Sequence, residues 1–157
     1  MKTASLSEIK KELYSLDEKE VLDICLRVAK YKKDNKELLN YLLFEASDEE
    51  SYINAVKEEI DKQYTEINKS NIYFAKKSLR KILRFTNKQI KYSGLKQTEV
   101  ELLIHFCKKL RKSGIEINKS TALENIYIRQ VQKIRKALST LHEDLQNDYE
   151  SDMRLIE

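Results

Sequence analysis

Apolar residues recur along the chain at spacings of three and four between polar breaks, the period of one helix face. That spacing predicts seven helices, at roughly 6–15, 18–32, 35–46, 48–67, 71–92, 99–112 and 121 to about 150. The third segment, with its run Glu37-Leu-Leu-Asn-Tyr-Leu-Leu-Phe-Glu-Ala46, is apolar on nearly every side and is expected in the middle of the structure with neighbours around it. In the last segment Tyr127, Val131, Ile134, Leu138, Leu141 and Leu145 alternate steps of four and three, the spacing of a coiled-coil seam. The seam is expected to pack within the monomer, and a homodimer through 127–145 is the competing use of it.

Helix starts are marked by a Ser, Thr or Asp followed three residues later by Glu, a pairing in which each residue satisfies a free backbone donor of the other. Such pairs stand at Ser5/Glu8, Asp17/Glu20, Asp34/Glu37, Ser47/Glu50, Thr98/Glu101 and Thr121/Glu124, and Ser70 or Asn71 opens the fifth segment. Gly94 and Gly114 fall where helix-terminating glycines belong. Glu66-Ile-Asn-Lys-Ser70 recurs as Glu116-Ile-Asn-Lys-Ser120, each time between two helices, and suggests a duplicated helical hairpin about 50 residues long. The predicted fold is therefore all-α, built either as stacked helical hairpins resembling a short α-solenoid or as a compact helical bundle. The resemblance is architectural only, because the signature residues of the known helical repeats are missing.

Composition adds limits. The chain has 157 residues with two Gly and no Pro, which fits helices joined by short polar loops and a single domain over 1–150 followed by an acidic tail at 151–157. Cys25 and Cys107 lie far apart within apolar patterns and are expected to be buried thiols without a disulfide or a zinc site. With no apolar run of membrane length and no leader, the expectation is a cytoplasmic protein without a membrane partner.

Charge is unevenly distributed along the chain. Residues 1–66 carry 11 basic and 16 acidic groups, 67–142 carry 18 and 4, and 143–157 carry 1 and 6. The fifth segment holds seven cations and no carboxylate. Wound as a helix, it puts Lys76, Lys77, Arg80, Lys81, Arg84, Lys88 and Lys91 on one arc of about 140°, apart from an apolar arc, with Phe74, Phe85 and Tyr92 along the far border. Lys and Arg along one helix face can replace the counterions of a nucleic-acid backbone, and aromatics beside them can stack on bases. Arg129, Lys133 and Lys136 extend the candidate surface. A competing expectation is that the acidic preceding segment, with Asp48, Glu49, Glu50, Glu58, Glu59 and Asp61, neutralises part of this face inside the hairpin.

Candidate chemistry is sparse. Glu101 and His105 stand one helical turn apart and could share a hydrogen bond or a metal, but one pair is not a site. No Glu-x-x-His or His-Glu-x-x-His motif, phosphate loop or Gly-x-Ser-x-Gly elbow is present. The expectation is a non-catalytic interaction protein without a cofactor that binds DNA or RNA through the basic face. The alternative is an adaptor that offers the same face to an acidic protein partner.

Overall fold

The computed structural model describes all residues, Met1 to Glu157. The chain is all-α, with eight α-helices and no strand. Within the span read as one domain it divides into two compact units, Met1–Phe44 and Glu45–Glu157. No helix is long and apolar enough to cross a membrane.

The first unit holds α1 (Leu6–Ser15), α2 (Glu18–Tyr31) and α3 (Lys33–Asn40), after which a single π-helical turn, Tyr41–Glu45, carries the chain onward. Ser5/Glu8 and Asp17/Glu20 form complete reciprocal caps at the starts of α1 and α2. The Asn35 amide donates to the Val28 carbonyl at 2.8 Å and fixes the corner between α2 and α3. Two expectations fail here. The 35–46 segment is not central, since Leu42, Leu43 and Phe44 are exposed, and Cys25 is exposed as well. The reason is size: three short helices in 44 residues have too little volume to enclose an interior.

The second unit contains α4 (Glu49–Thr65), α5 (Ile72–Ser93), α6 (Lys96–Lys112), α7 (Thr121–Leu138) and α8 (Glu143–Ile156). The central position belongs to α6, whose Leu102, Leu103, Phe106, Cys107 and Leu110 are wholly buried. Its one polar arc, Glu101, His105, Lys108 and Lys109, is bridged from both sides: Lys57 and Asp61 reach it from α4, and Tyr149 and Asp152 reach it from α8. The pairings rise together along the helices. Lys57 meets Glu101, Asp61 meets His105, and Lys108 meets Asp152, each 44 residues apart. Hence α4, α6 and α8 lie parallel in one layer, and α5 and α7 return antiparallel in a second, which is the layout of stacked hairpins. The two Glu-Ile-Asn-Lys-Ser copies join α4 to α5 and α6 to α7, the equivalent corner of each hairpin.

The last predicted helix is two helices. The Ser139 and Thr140 hydroxyls donate to the Lys136 and Ala137 carbonyls, both at 2.7 Å, so side chains satisfy the end of α7 and the chain turns before His142 caps α8. The 127–145 seam is cut at that turn, with Tyr127 and Ile134 buried and Leu138, Leu141 and Leu145 only half-buried. Residues 151–157, expected as an acidic tail, continue α8 to Ile156, and Met153 and Ile156 pack into the core.

Candidate nucleic-acid interface

Asn71 caps α5 through its side chain, accepting from the Phe74 amide at 2.9 Å, and Gly94 ends the helix in the left-handed region at φ 70. Between those ends Ala75, Leu79, Ile82, Leu83 and Thr86 are buried, which fixes the helix's rotation and leaves the cationic arc pointing away from the core. The flank turned toward α4 carries Gln89 and Ser93. The Tyr52 hydroxyl donates to the Gln89 carbonyl and side chain at 3.0 and 2.9 Å, and Ser93 donates to Glu49 at 2.5 Å.

Internal contacts engage only part of the cationic face: Lys88 is taken up, and Glu49 of α4 accepts from Ser93 of α5. Asp61 of α4 turns to α6 instead, standing 2.5 Å from His105 Nε2 and 3.1 Å from Lys109. Burial raises the Asp61 pKa in part, but the bonds from His105 and Lys109 prevail and keep it below the ordinary carboxylate range. Burial also holds His105 below its ordinary value against the pull of Asp61. Glu101 and His105 do not bond each other. Glu101 accepts from Lys57 at 2.5 Å and from the Tyr149 hydroxyl at 2.7 Å, and no group of three His, Cys, Asp or Glu is placed to hold a metal.

On α5, Lys77, Arg80, Lys81, Arg84 and Lys91 are exposed and form no ion pair with the protein's own carboxylates. Lys76 is half-buried at the edge of the apolar arc, and Lys88 is half-buried and already engaged. Arg129, Lys133 and Lys136 of α7 are exposed and unpaired, on the flank opposite Arg135, which instead bonds Glu157 at 2.9 Å. Their flank looks toward α5: Lys133 and Lys91 line an open cleft of about 520 Å³ with Asn87, Ile90 and Glu99. A second cleft of about 230 Å³ lies at the other end, between Ile72 and Ala75 of α5 and Leu123 of α7. Of the candidate cations, Lys91 and Lys133 line the first cleft, and the second is bordered by Lys69 and Lys119.

The aromatics divide. Phe85 and Tyr92 are half-buried, whereas Phe74 is partly exposed. The sequence reading missed Tyr73, which is 65% exposed and meets Phe74 edge-on with ring centroids 5.4 Å apart. The winding that groups the cations also puts Tyr73 on their centre line, in file with Lys77, Arg80 and Arg84. Comparison with protein families, with curated proteins and with solved structures finds no match for this chain.

Proposed function

We propose that this is a non-catalytic nucleic-acid-binding protein that grips the phosphate backbone with the crest of α5 and the facing flank of α7. One observation carries the reading: five exposed cations of α5 have no internal partner, although an acidic helix lies beside them. From Lys77 to Lys91 they span about 21 Å of helix, over which a duplex presents roughly one phosphate charge per 1.7 Å. Tyr73 supplies a face on which an unpaired base can stack.

The test is fluorescence anisotropy with labelled single-stranded and duplex 20-mers of DNA and RNA across a salt series. With four or five phosphates engaged on a duplex, the logarithm of affinity should fall against the logarithm of salt with slope near −4, about 0.9 per contact. Lys77→Glu/Arg80→Glu/Arg84→Glu should abolish the binding with helicity unchanged, since none of the three touches the core. Tyr73→Ala should weaken single-strand binding about 5- to 100-fold, on the order of 1–3 kcal/mol, and leave duplex binding alone. A folded wild type with no affinity for any 20-mer at low salt refutes the proposal and leaves the face to an acidic protein partner.

A further inference from the structure

The first unit has apolar residues but buries only Tyr41, in the π-helical turn. None of the residues of α1, α2 or α3 is buried, and on α2 Leu22, Val28 and Tyr31 are 56%, 54% and 86% exposed. Apolar side chains left in water contribute nothing against the entropy of ordering three helices, so this surface calls for a cover.

The pattern along α2 names the cover. Glu18, Val21, Cys25 and Val28 recur at three and four down the helix, with Leu22 and Ala29 beside them, and Lys32 follows at the extended C-cap. About Cys25 the residues mirror in kind: apolar Leu22 and Val28 stand three before and three after, apolar Val21 and Ala29 four before and four after, and Glu18 and Lys32 seven before and seven after with opposite charge. If a second α2 lies antiparallel with its own Cys25 at the same point, Glu18 of each copy meets Lys32 of the other, Val21 meets Ala29 and Leu22 meets Val28. A parallel pairing would instead set Glu18 on Glu18 and Lys32 on Lys32. An unrelated partner does not require such a palindrome, whereas a twofold self-contact does, because in it each residue meets its own mirror position.

We infer that the chain forms a twofold homodimer through an antiparallel α2–α2 contact centred on Cys25. Val21, Leu22, Ile24 and Val28 are all exposed and lie within about 80° of the seam, so a second α2 can cover them. Helix axes 8–10 Å apart bring facing central positions within disulfide reach.

Light scattering on the full chain should give twice the 18.6 kDa monomer mass. Diamide, which takes up the two electrons and two protons of a thiol pair, should link Cys25 to Cys25. Cys25→Ser should lose the cross-link and keep the dimer, and buried Cys107 serves as the internal control. Val28→Lys should give a monomer with full helicity. Should that variant unfold, the charge pair still decides: Glu18→Lys should weaken the dimer at least about tenfold, and adding Lys32→Glu should restore it. A monomer at 100 µM overturns the inference, as does a dimer that neither cross-links at Cys25 nor responds to Glu18→Lys. Monomeric protein that partitions onto phospholipid vesicles would assign the surface to a lipid instead.

Discussion

Replacing Glu101 by Gln removes one charge from the point where α4, α6 and α8 meet. Its carboxylate accepts from Lys57 at 2.5 Å and from Tyr149 at 2.7 Å, and the Lys57 and Glu101 side chains are each about a quarter exposed, at 26% and 27%. This places the pair between a surface ion pair, worth under about 1 kcal/mol, and a buried one whose disruption costs about 3–5 kcal/mol. Gln keeps an acceptor for the Tyr149 hydroxyl, so only the charge-assisted bond to Lys57 is lost, at a cost of about 1.5–3 kcal/mol. In a unit of this size that is a fall in melting midpoint of roughly 6–12 °C. Glu101→Leu should cost more, about 3–5 kcal/mol, because it strands both partners. Acidity supplies the control. Burial raises the Glu101 pKa, but the hydrogen bonds from Lys57 and Tyr149 and the Lys57 charge outweigh it and hold the carboxyl below 4.5. A depressed folded-state value means that the ionised group's stabilisation is complete above the unfolded value near 4.5 and disappears as the pH falls through the lower folded value. Thermal melts followed by circular dichroism should therefore show the full gap between wild type and Glu101→Gln at pH 7, and the gap should close in acid. Equal midpoints at pH 7, or a gap as wide at pH 3, would refute the reasoning.

Two further outcomes can be checked quickly. The Tyr64 hydroxyl donates to the Phe106 carbonyl at 3.0 Å within the core, so Tyr64→Phe should cost about 1 kcal/mol in urea unfolding, against about 3–5 kcal/mol for Phe106→Ala, and equal costs would contradict the packing described. With maleimide at pH 8 Cys107 of the native chain should stay unlabelled, because it is buried and its thiol is pushed up to about 12; mass spectrometry finding it labelled before unfolding would count against it.

Local cap signals were legible in part: α4 and α7 are capped one residue away from the pairs read for them, by Asp48 and Ser120, and α3 has no side-chain cap. Ser5/Glu8, Asp17/Glu20 and Asn71 cap the helices assigned to them. Thr98 and Glu101 resemble such a cap and are not one. Helix α6 begins at Lys96, and both residues turn sideways, Thr98 donating to Glu49 at 2.6 Å and Glu101 binding Lys57. Nothing local distinguishes a hydroxyl–carboxylate pair that caps from one whose members bond helices more than 40 residues away. The same limit applies to charge. The sequence identifies α4 as acidic and α5 as basic and adjacent in the chain, but it does not show that hairpin stacking turns Lys57 and Asp61 of α4 onto the next hairpin's first helix. On the candidate face the helical period located the cations, and it placed Tyr73 among them equally well. The apolar spacing of α2 predicts a helix with an apolar side without saying what lies against it.

The two-layer stacking gives the net charge of +4 little meaning for any partner. In the second unit α5 and α7 carry seven and four cations against one carboxylate, while the layer of α4, α6 and α8 carries five, two and five carboxylates against two, five and one cations. At physiological ionic strength a charge is felt over about 8 Å, less than the width of a single helix with its side chains. An approaching molecule therefore senses one layer at a time, and the opposite layer is electrically out of sight. The unit is in effect a dipole whose poles titrate and screen independently. It should be retained by cation and anion exchangers alike near neutral pH, and a polyanion would turn it to present α5 before contact is made.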